Sequence, residues 1–364
     1  MKATSELNRA GQSLWLDNIT RELLSSGTLK RYIDELSVTG LTSNPTIFDH
    51  AMQHGSAYDE DIRKLAGSGL ADEKLFFELA LDDLTRAADL FRAVHERTAG
   101  VDGWVSLEVS PRLAYDTDST LTEARELHGR ANRPNLFIKI PGTREGLPAI
   151  ESAIFAGIPI NVTLLFSAEQ YVAAAEAWLR GIERRIDAGL NPNVGSVASI
   201  FLSRWDVATA DKVPAALRNR LGLAVGQRAY RSYCELLSSP RWLRALNAGA
   251  RPQRLLFAST GTKDPKASDV LYIEGLVAPL TVNTMPENTL KAFADHGRVG
   301  AAIRADGADS EAILADFTRA GVDLAALAAR LQREGAAAFV SSWDSLMGVI
   351  ASKATALKKA AGAR

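Results

Sequence analysis

The chain has 364 residues, enough for one large α/β barrel with extensions or for two ordinary domains. Its 42 basic and 43 acidic residues nearly cancel, which weighs against a general nucleic-acid partner while leaving room for a local basic pocket. With 46% hydrophobic residues, one cysteine (Cys234), no bilayer-length apolar run and no apolar signal core in residues 1–12, the composition fits a core-forming cytosolic protein with no membrane partner.

Short apolar runs alternate with amphipathic segments along the chain. A first strand is expected at 14–16, a helix at 22–36 and a second strand at 38–42. Phe77, Leu81, Leu84, Ala88 and Phe91 recur at helical spacing and mark one apolar face. A third strand at 104–109, a helix at 122–130, a fourth strand at 136–140, a helix at 145–155 and a fifth strand at 158–166 follow. Ser167 and Gln170 form a capping box ahead of a face made by Tyr171, Trp178, Ile182 and Ile186, and this helix should stop near Gly189. A sixth strand at 194–201, a helix at 207–237, a seventh strand at 255–258, a helix at 268–277 and an eighth strand at 281–285 complete the alternation.

Eight strands alternating with helices predict an α/β fold, a (β/α)8 TIM barrel with additional C-terminal helices. An open doubly wound sheet alternates too, but no G-x-G-x-x-G follows a strand. Beyond the eighth strand, helices are expected at 287–295, 309–318, 324–332 and 335–358, the last carrying Phe339, Trp343, Leu346 and Ile350 on one face. We read 1–364 as a single barrel domain with 286–364 as a helical appendage, which either covers the barrel mouth or packs on its outer wall. The tail 358–364 is expected to fray.

The informative residues are polar ones inside apolar strands. Lys139 lies between Ile138 and Ile140, where a lysine is costly without a task. Burial disfavours the ammonium, and a neutral amine attacks carbonyls to give a Schiff base. An edge lysine reaching water, or a structural ion pair, is the plainer alternative. Asp17 closes the first strand, Asn44 the second and Ser259 the seventh. Glu108 lies in the third, and Asn161 and Thr163 share a face of the fifth. Ser199 lies in the sixth, with Arg204 after it. Each has an ordinary alternative: Asp17 as a helix cap, Asn44 as a turn residue, Glu108 paired with Arg112. Together they lie at the strand ends that converge on a barrel mouth. The loop Ser259-Thr260-Gly261-Thr262-Lys263 offers hydroxyls, a glycine and a cation to a phosphate, though it is no Walker A motif. The five histidines form no H-E-x-x-H motif, and His50 and His54 read as a solvated pair.

The blocks Leu16-Asp17-Asn18-Ile19, Gly40-Leu41-Thr42-Ser43-Asn44-Pro45-Thr46-Ile47-Phe48, Val105-Ser106-Leu107-Glu108-Val109, Ile138-Lys139-Ile140-Pro141-Gly142-Thr143 and Ile160-Asn161-Val162-Thr163-Leu164-Leu165-Phe166-Ser167 resemble those of the transaldolases, in that order. The resemblance runs from about residue 15 to 286, and the sequence at 258–263 is similar to the longer bacterial subfamily. It implies a class I aldolase mechanism with no cofactor and no metal. The reaction implied is a step of the pentose phosphate pathway. It moves a dihydroxyacetone unit from sedoheptulose 7-phosphate or fructose 6-phosphate to glyceraldehyde 3-phosphate or erythrose 4-phosphate. By the same resemblance Lys139 is the Schiff-base lysine, Glu108 moves protons through a water held by Thr163, and Asp17 takes the C4 hydroxyl proton. Asn44 and Asn161 hold the dihydroxyacetone unit, and Ser199 and Arg204 bind phosphate. Where some members add an arginine after strand seven, this chain has Ser259 and Lys263. Monomer and homodimer both stay open. The competing activities are a fructose-6-phosphate-type aldolase and a non-catalytic sugar-phosphate-binding barrel.

Overall fold

The computed structural model describes residues 2–70 and 72–362. The strands are β1 (Gln12–Asp17), β2 (Val38–Thr42), β3 (Trp104–Glu108), β4 (Leu136–Pro141), β5 (Ile160–Leu165), β6 (Ser196–Phe201), β7 (Gln253–Ala258) and β8 (Thr281–Met285). Each pairs in parallel with the next, and β8 pairs back onto β1, closing the (β/α)8 barrel and removing the open-sheet alternative.

Side chains at every second position point inward. Ser13, Trp15 and Asp17 rise through β1, Trp104, Ser106 and Glu108 through β3, and Phe137 and Lys139 through β4. Trp15, Trp104 and Phe137 form an aromatic floor: the Trp104 and Phe137 rings stack at 4.1 Å, and Trp15 lies 6.1 Å from Phe137. Beneath it, Arg254 pairs with Asp102 at 3.2 Å, Trp15 Nε1 donates to Asp102 at 2.8 Å, and Arg254 Nη1 donates to Ser13 Oγ at 2.8 Å. The buried charges of that end are thus mutually satisfied. Gly40 sits opposite Trp15, where a Cβ would come within 2.5 Å of the indole. Gly40→Ala should therefore destabilise the fold by about 1–3 kcal/mol through overpacking. A urea midpoint equal to that of the wild type would contradict this.

The helices differ from the sequence expectation where local breaks intervene. The segment 22–36 divides into Arg21–Ser25 and Thr28–Glu35 at Gly27, whose φ is 73°. The segment 207–237 becomes Ser203–Thr209 and Leu221–Leu237. Asp206 caps the second of these, accepting from Leu221 N at 2.9 Å and Gly222 N at 3.0 Å. Only Leu271–Glu274 is α-helical within 268–277. The Ser167 cap is present: its hydroxyl accepts from Gln170 N, and Gln170 Oε1 accepts in turn from Phe166 N. The two helices expected at 324–332 and 335–358 are one, Leu324–Gly362. It is helical through much of the tail expected to fray, and Ala363 and Arg364 lie outside the described residues.

This C-terminal helix crosses the C-terminal ends of the strands. Gln332 Nε2 donates to the carbonyls of Gly142 (3.1 Å) and Leu164 (3.0 Å), just beyond β4 and within β5. On the other side, Thr46 and Ser342 share a 2.8 Å hydrogen bond, Trp343 Nε1 donates to Glu73 at 2.8 Å, and Lys353 Nζ donates to Gly55 O at 2.7 Å. Of the two placements the sequence left open, the helix occupies the mouth.

Candidate active site

A cavity of about 510 Å³ opens at that mouth. Strand register sets its depth: Lys139 aligns with Glu108 on β3 and with Asn161 on β5, and Pro141 aligns with Thr163. Lys139, Glu108 and Asn161 therefore share one layer above the aromatic floor.

Lys139 is 4% exposed, yet its side chain borders the cavity. Nζ lies 3.0 Å from Glu108 Oε2, while its aligned hydrogen bond goes to the Ser43 carbonyl at 2.9 Å. Glu108 thus pairs with Lys139 rather than Arg112, which reaches Glu73 and Asp344 instead. Among the described residues both Glu108 oxygens lack an aligned hydrogen-bond donor, and the buried Thr163 hydroxyl has no partner. Burial raises the Glu108 pKa above the ordinary carboxylate value, Lys139 opposing it. A carboxyl in that state can both take and return a proton.

Asp17, half-buried, faces the cavity from the end of β1. Thr42 Oγ1 donates to its Oδ1 at 2.8 Å and touches Thr284 Oγ1 at 2.7 Å, so the carboxylate is held by a chain of hydroxyls. Burial raises the Asp17 pKa too, against Lys139, the Thr42 hydrogen bond and Lys263. The helix-cap alternative fails, because Thr20 caps Arg21–Ser25. Asn44 does cap a helix, Pro45–His54, accepting from Ile47 N at 3.1 Å, and it lines the cavity as well. Its amide donors remain for a ligand.

Asn161 sits deeper than a contact residue would. Its Oδ1 accepts from Ser199 Oγ at 2.7 Å and its Nδ2 donates to Ser106 Oγ at 3.1 Å, while Ser199 lines the cavity. Arg204 is partly buried and, among the described residues, makes no ion pair. Its guanidinium lies 5.2 Å from the Phe201 ring and 6.0 Å from the Phe339 ring. Burial depresses its pKa. An arginine without an ion pair in such a wall has the donors and charge to take an anion. Ser259, at φ 54°, accompanies it on the wall with exposed Lys263.

The geometry adds two residues that sequence reading missed. Phe339, from the C-terminal helix, lies with its ring 6.0 Å from Lys139 Nζ. His50, read as solvated, is exposed but also borders the cavity and stacks on His54 at 4.4 Å. Phe339 was legible only as part of an apolar helical face. Helical spacing says which residues share a face and nothing of what the face covers.

A family model described as transaldolase/fructose-6-phosphate aldolase matches residues 14–350. The transaldolase of Thermobifida fusca is 46% identical over 362 residues, covering 96% of this chain and 98% of that protein. Those of Parafrankia sp. (45%; 96% and 97%) and Thiobacillus denitrificans (42%; 96% and 100%) are similar over the same span.

Proposed function

The chain belongs to the transaldolase/fructose-6-phosphate aldolase family and has transaldolase activity, moving a dihydroxyacetone unit between phosphorylated sugars; from that premise we propose which residues perform each step. The observation that carries the proposal is the Lys139 amine, buried at the cavity floor 3.0 Å from the Glu108 carboxyl.

Lys139 attacks the C2 carbonyl of fructose 6-phosphate or sedoheptulose 7-phosphate. Glu108 supplies the proton that removes the carbinolamine hydroxyl as water, acting through a water held by the Thr163 hydroxyl. Protonated imine nitrogen then draws the electrons of the C3–C4 bond while Asp17 takes the C4 hydroxyl proton. The aldose phosphate leaves, and an enamine stays on Lys139 until a second aldose phosphate, glyceraldehyde 3-phosphate or erythrose 4-phosphate, accepts it. Asn44 holds the unit directly, and Asn161 acts by fixing the Ser199 hydroxyl. Every step uses groups of the chain itself. The single cysteine supports a cytosolic setting, and among the described residues no helix is long and apolar enough to cross a membrane. The ties between the C-terminal helix and the barrel rim support reading 286–364 as part of one barrel domain.

Borohydride added with fructose 6-phosphate should leave a reduced adduct on Lys139 in peptide mapping; an adduct on another lysine would refute the assignment. Donor turnover that is no faster with erythrose 4-phosphate than without it would favour an aldolase acting by release to water.

The phosphate assignment yields a graded prediction. Arg204→Ala should raise KM for fructose 6-phosphate about 10- to 100-fold, as loss of a charge-assisted contact does. Lys263→Ala should raise it only about two- to fivefold, because an exposed charge is screened. Neither change should affect unphosphorylated fructose. Equal losses on both sugars would remove these residues from phosphate binding.

A further inference from the structure

The C-terminal helix does more than cover the mouth. Phe339 is 5% exposed, and its ring centre lies 6.0 Å from both Lys139 Nζ and Arg204 Cζ. The ring therefore lies near both the reacting nitrogen and the phosphate anchor. One turn earlier Gly335 lies against Arg204, where a Cβ would be 3.1 Å from Nη1 and 3.1 Å from a Leu164 methyl. A side chain there would require Arg204 and Leu164 to give way by a few tenths of an ångström, so the helix packs closely against the phosphate anchor. Gln332 ties the helix down on one side of Phe339, and Ser342, Trp343 and Lys353 do so on the other. The ring is thus held by contacts on both flanks, close over the amine.

We propose that Phe339 is a specificity-determining residue that sets whether the dihydroxyacetone unit on Lys139 is transferred to an acceptor or lost to water. This rests on the Schiff-base reading above. After donor cleavage, C3 of the enamine is the nucleophile. In transfer, C3 bonds to the acceptor aldehyde carbon, the aldehyde oxygen takes a proton, and hydrolysis of the iminium releases the new ketose. In loss, C3 takes a proton from solvent instead. Water then adds to C2 of the iminium, the C2–nitrogen bond breaks, and free dihydroxyacetone leaves with the Lys139 amine restored. Both routes end with one water consumed. They differ in whether solvent protons reach C3 before an acceptor does. An apolar ring over the amine disfavours the second route because it limits bulk water beside the enamine.

The test compares wild type with Phe339→Ala and Phe339→Leu. Two rates are measured: dihydroxyacetone release from fructose 6-phosphate alone, and sedoheptulose 7-phosphate formation with erythrose 4-phosphate. The ratio of release to transfer should rise at least about tenfold in Phe339→Ala and less in Phe339→Leu, where apolar bulk is kept. In heavy water each released dihydroxyacetone molecule should carry one deuterium at C3 in every variant, so the yield of deuterated product rises with release while the deuterium per molecule stays constant. An unchanged ratio, with borohydride trapping on Lys139 intact, overturns the inference and leaves Phe339 a packing residue. Absence of the Lys139 adduct in the wild type overturns the Schiff-base reading itself. If Phe339→Ala does not fold, the ratio in Phe339→Leu decides.

Discussion

Lys139→Met should abolish the borohydride-trapped adduct and lower transfer by at least about 10⁴-fold, because the other lysine lining the cavity, Lys263, is exposed on its wall rather than buried beside Glu108. Met keeps the volume and apolar stem of the lysine, so the lost rate reports the amine. The substitution also leaves Glu108 buried without its cation, and this gives a second, independent readout. Burial raises the Glu108 pKa and Lys139 opposes it, so removing Lys139 raises it further. A carboxyl whose pKa is higher folded than unfolded stabilises the fold at low pH and weakens it as pH rises through the folded value. The variant should therefore be less stable than wild type by up to about 3–5 kcal/mol on the alkaline side. The gap should narrow toward the acid end of a series from about pH 8 to about pH 5, because protonation removes the unpaired charge on Glu108. Urea unfolding of both proteins across that range measures it. A gap that widens on acidification would mean Glu108 is not the group left unpaired.

The barrel and most of the site residues were legible because their signals are local. Strand alternation put Lys139 inside an apolar run, and Asn161 and Thr163 on one face, without reference to any other part of the chain. Asp17, Asn44, Ser199, Arg204, Ser259 and Lys263 were readable as strand-end residues, and all line the cavity. What was hidden depends on distant partners. The Asn161 amide is occupied by Ser106 and Ser199, a matter of register between neighbouring strands. The break within 207–237 follows from a buried Asp206 that caps the chain fifteen residues on, at Leu221. Gly335 looked like a helix boundary but lies within an unbroken helix, at the place where that helix meets Arg204 and Leu164. Family resemblance supplied roles for residues within its reach, to about residue 286, and the roof of the site lies beyond that limit.

Asp17→Asn should leave adduct formation on Lys139 intact while lowering kcat by about 10²–10⁴-fold, the range of a lost general base. The geometry separates the two functions. The carboxyl beside Lys139 Nζ is Glu108, at 3.0 Å, whereas Asp17 is held higher, at the end of β1, by Thr42 and through it Thr284. Asn is nearly the same shape, and its carbonyl oxygen can still accept from Thr42, so the cavity wall should stand. What it lacks is the capacity to take a proton as the C3–C4 bond opens. Schiff-base formation needs no base at C4, so the donor should accumulate as an imine with its six-carbon chain whole. Borohydride should then trap a fructose 6-phosphate adduct, heavier than the dihydroxyacetone adduct expected from wild type under turnover. Mass spectrometry of the Lys139 peptide distinguishes the two. A dihydroxyacetone adduct forming at the wild-type rate would remove Asp17 from bond cleavage. Loss of every adduct would move Asp17 to the earlier step, where its proximity to Lys139 would matter more than its reach toward C4.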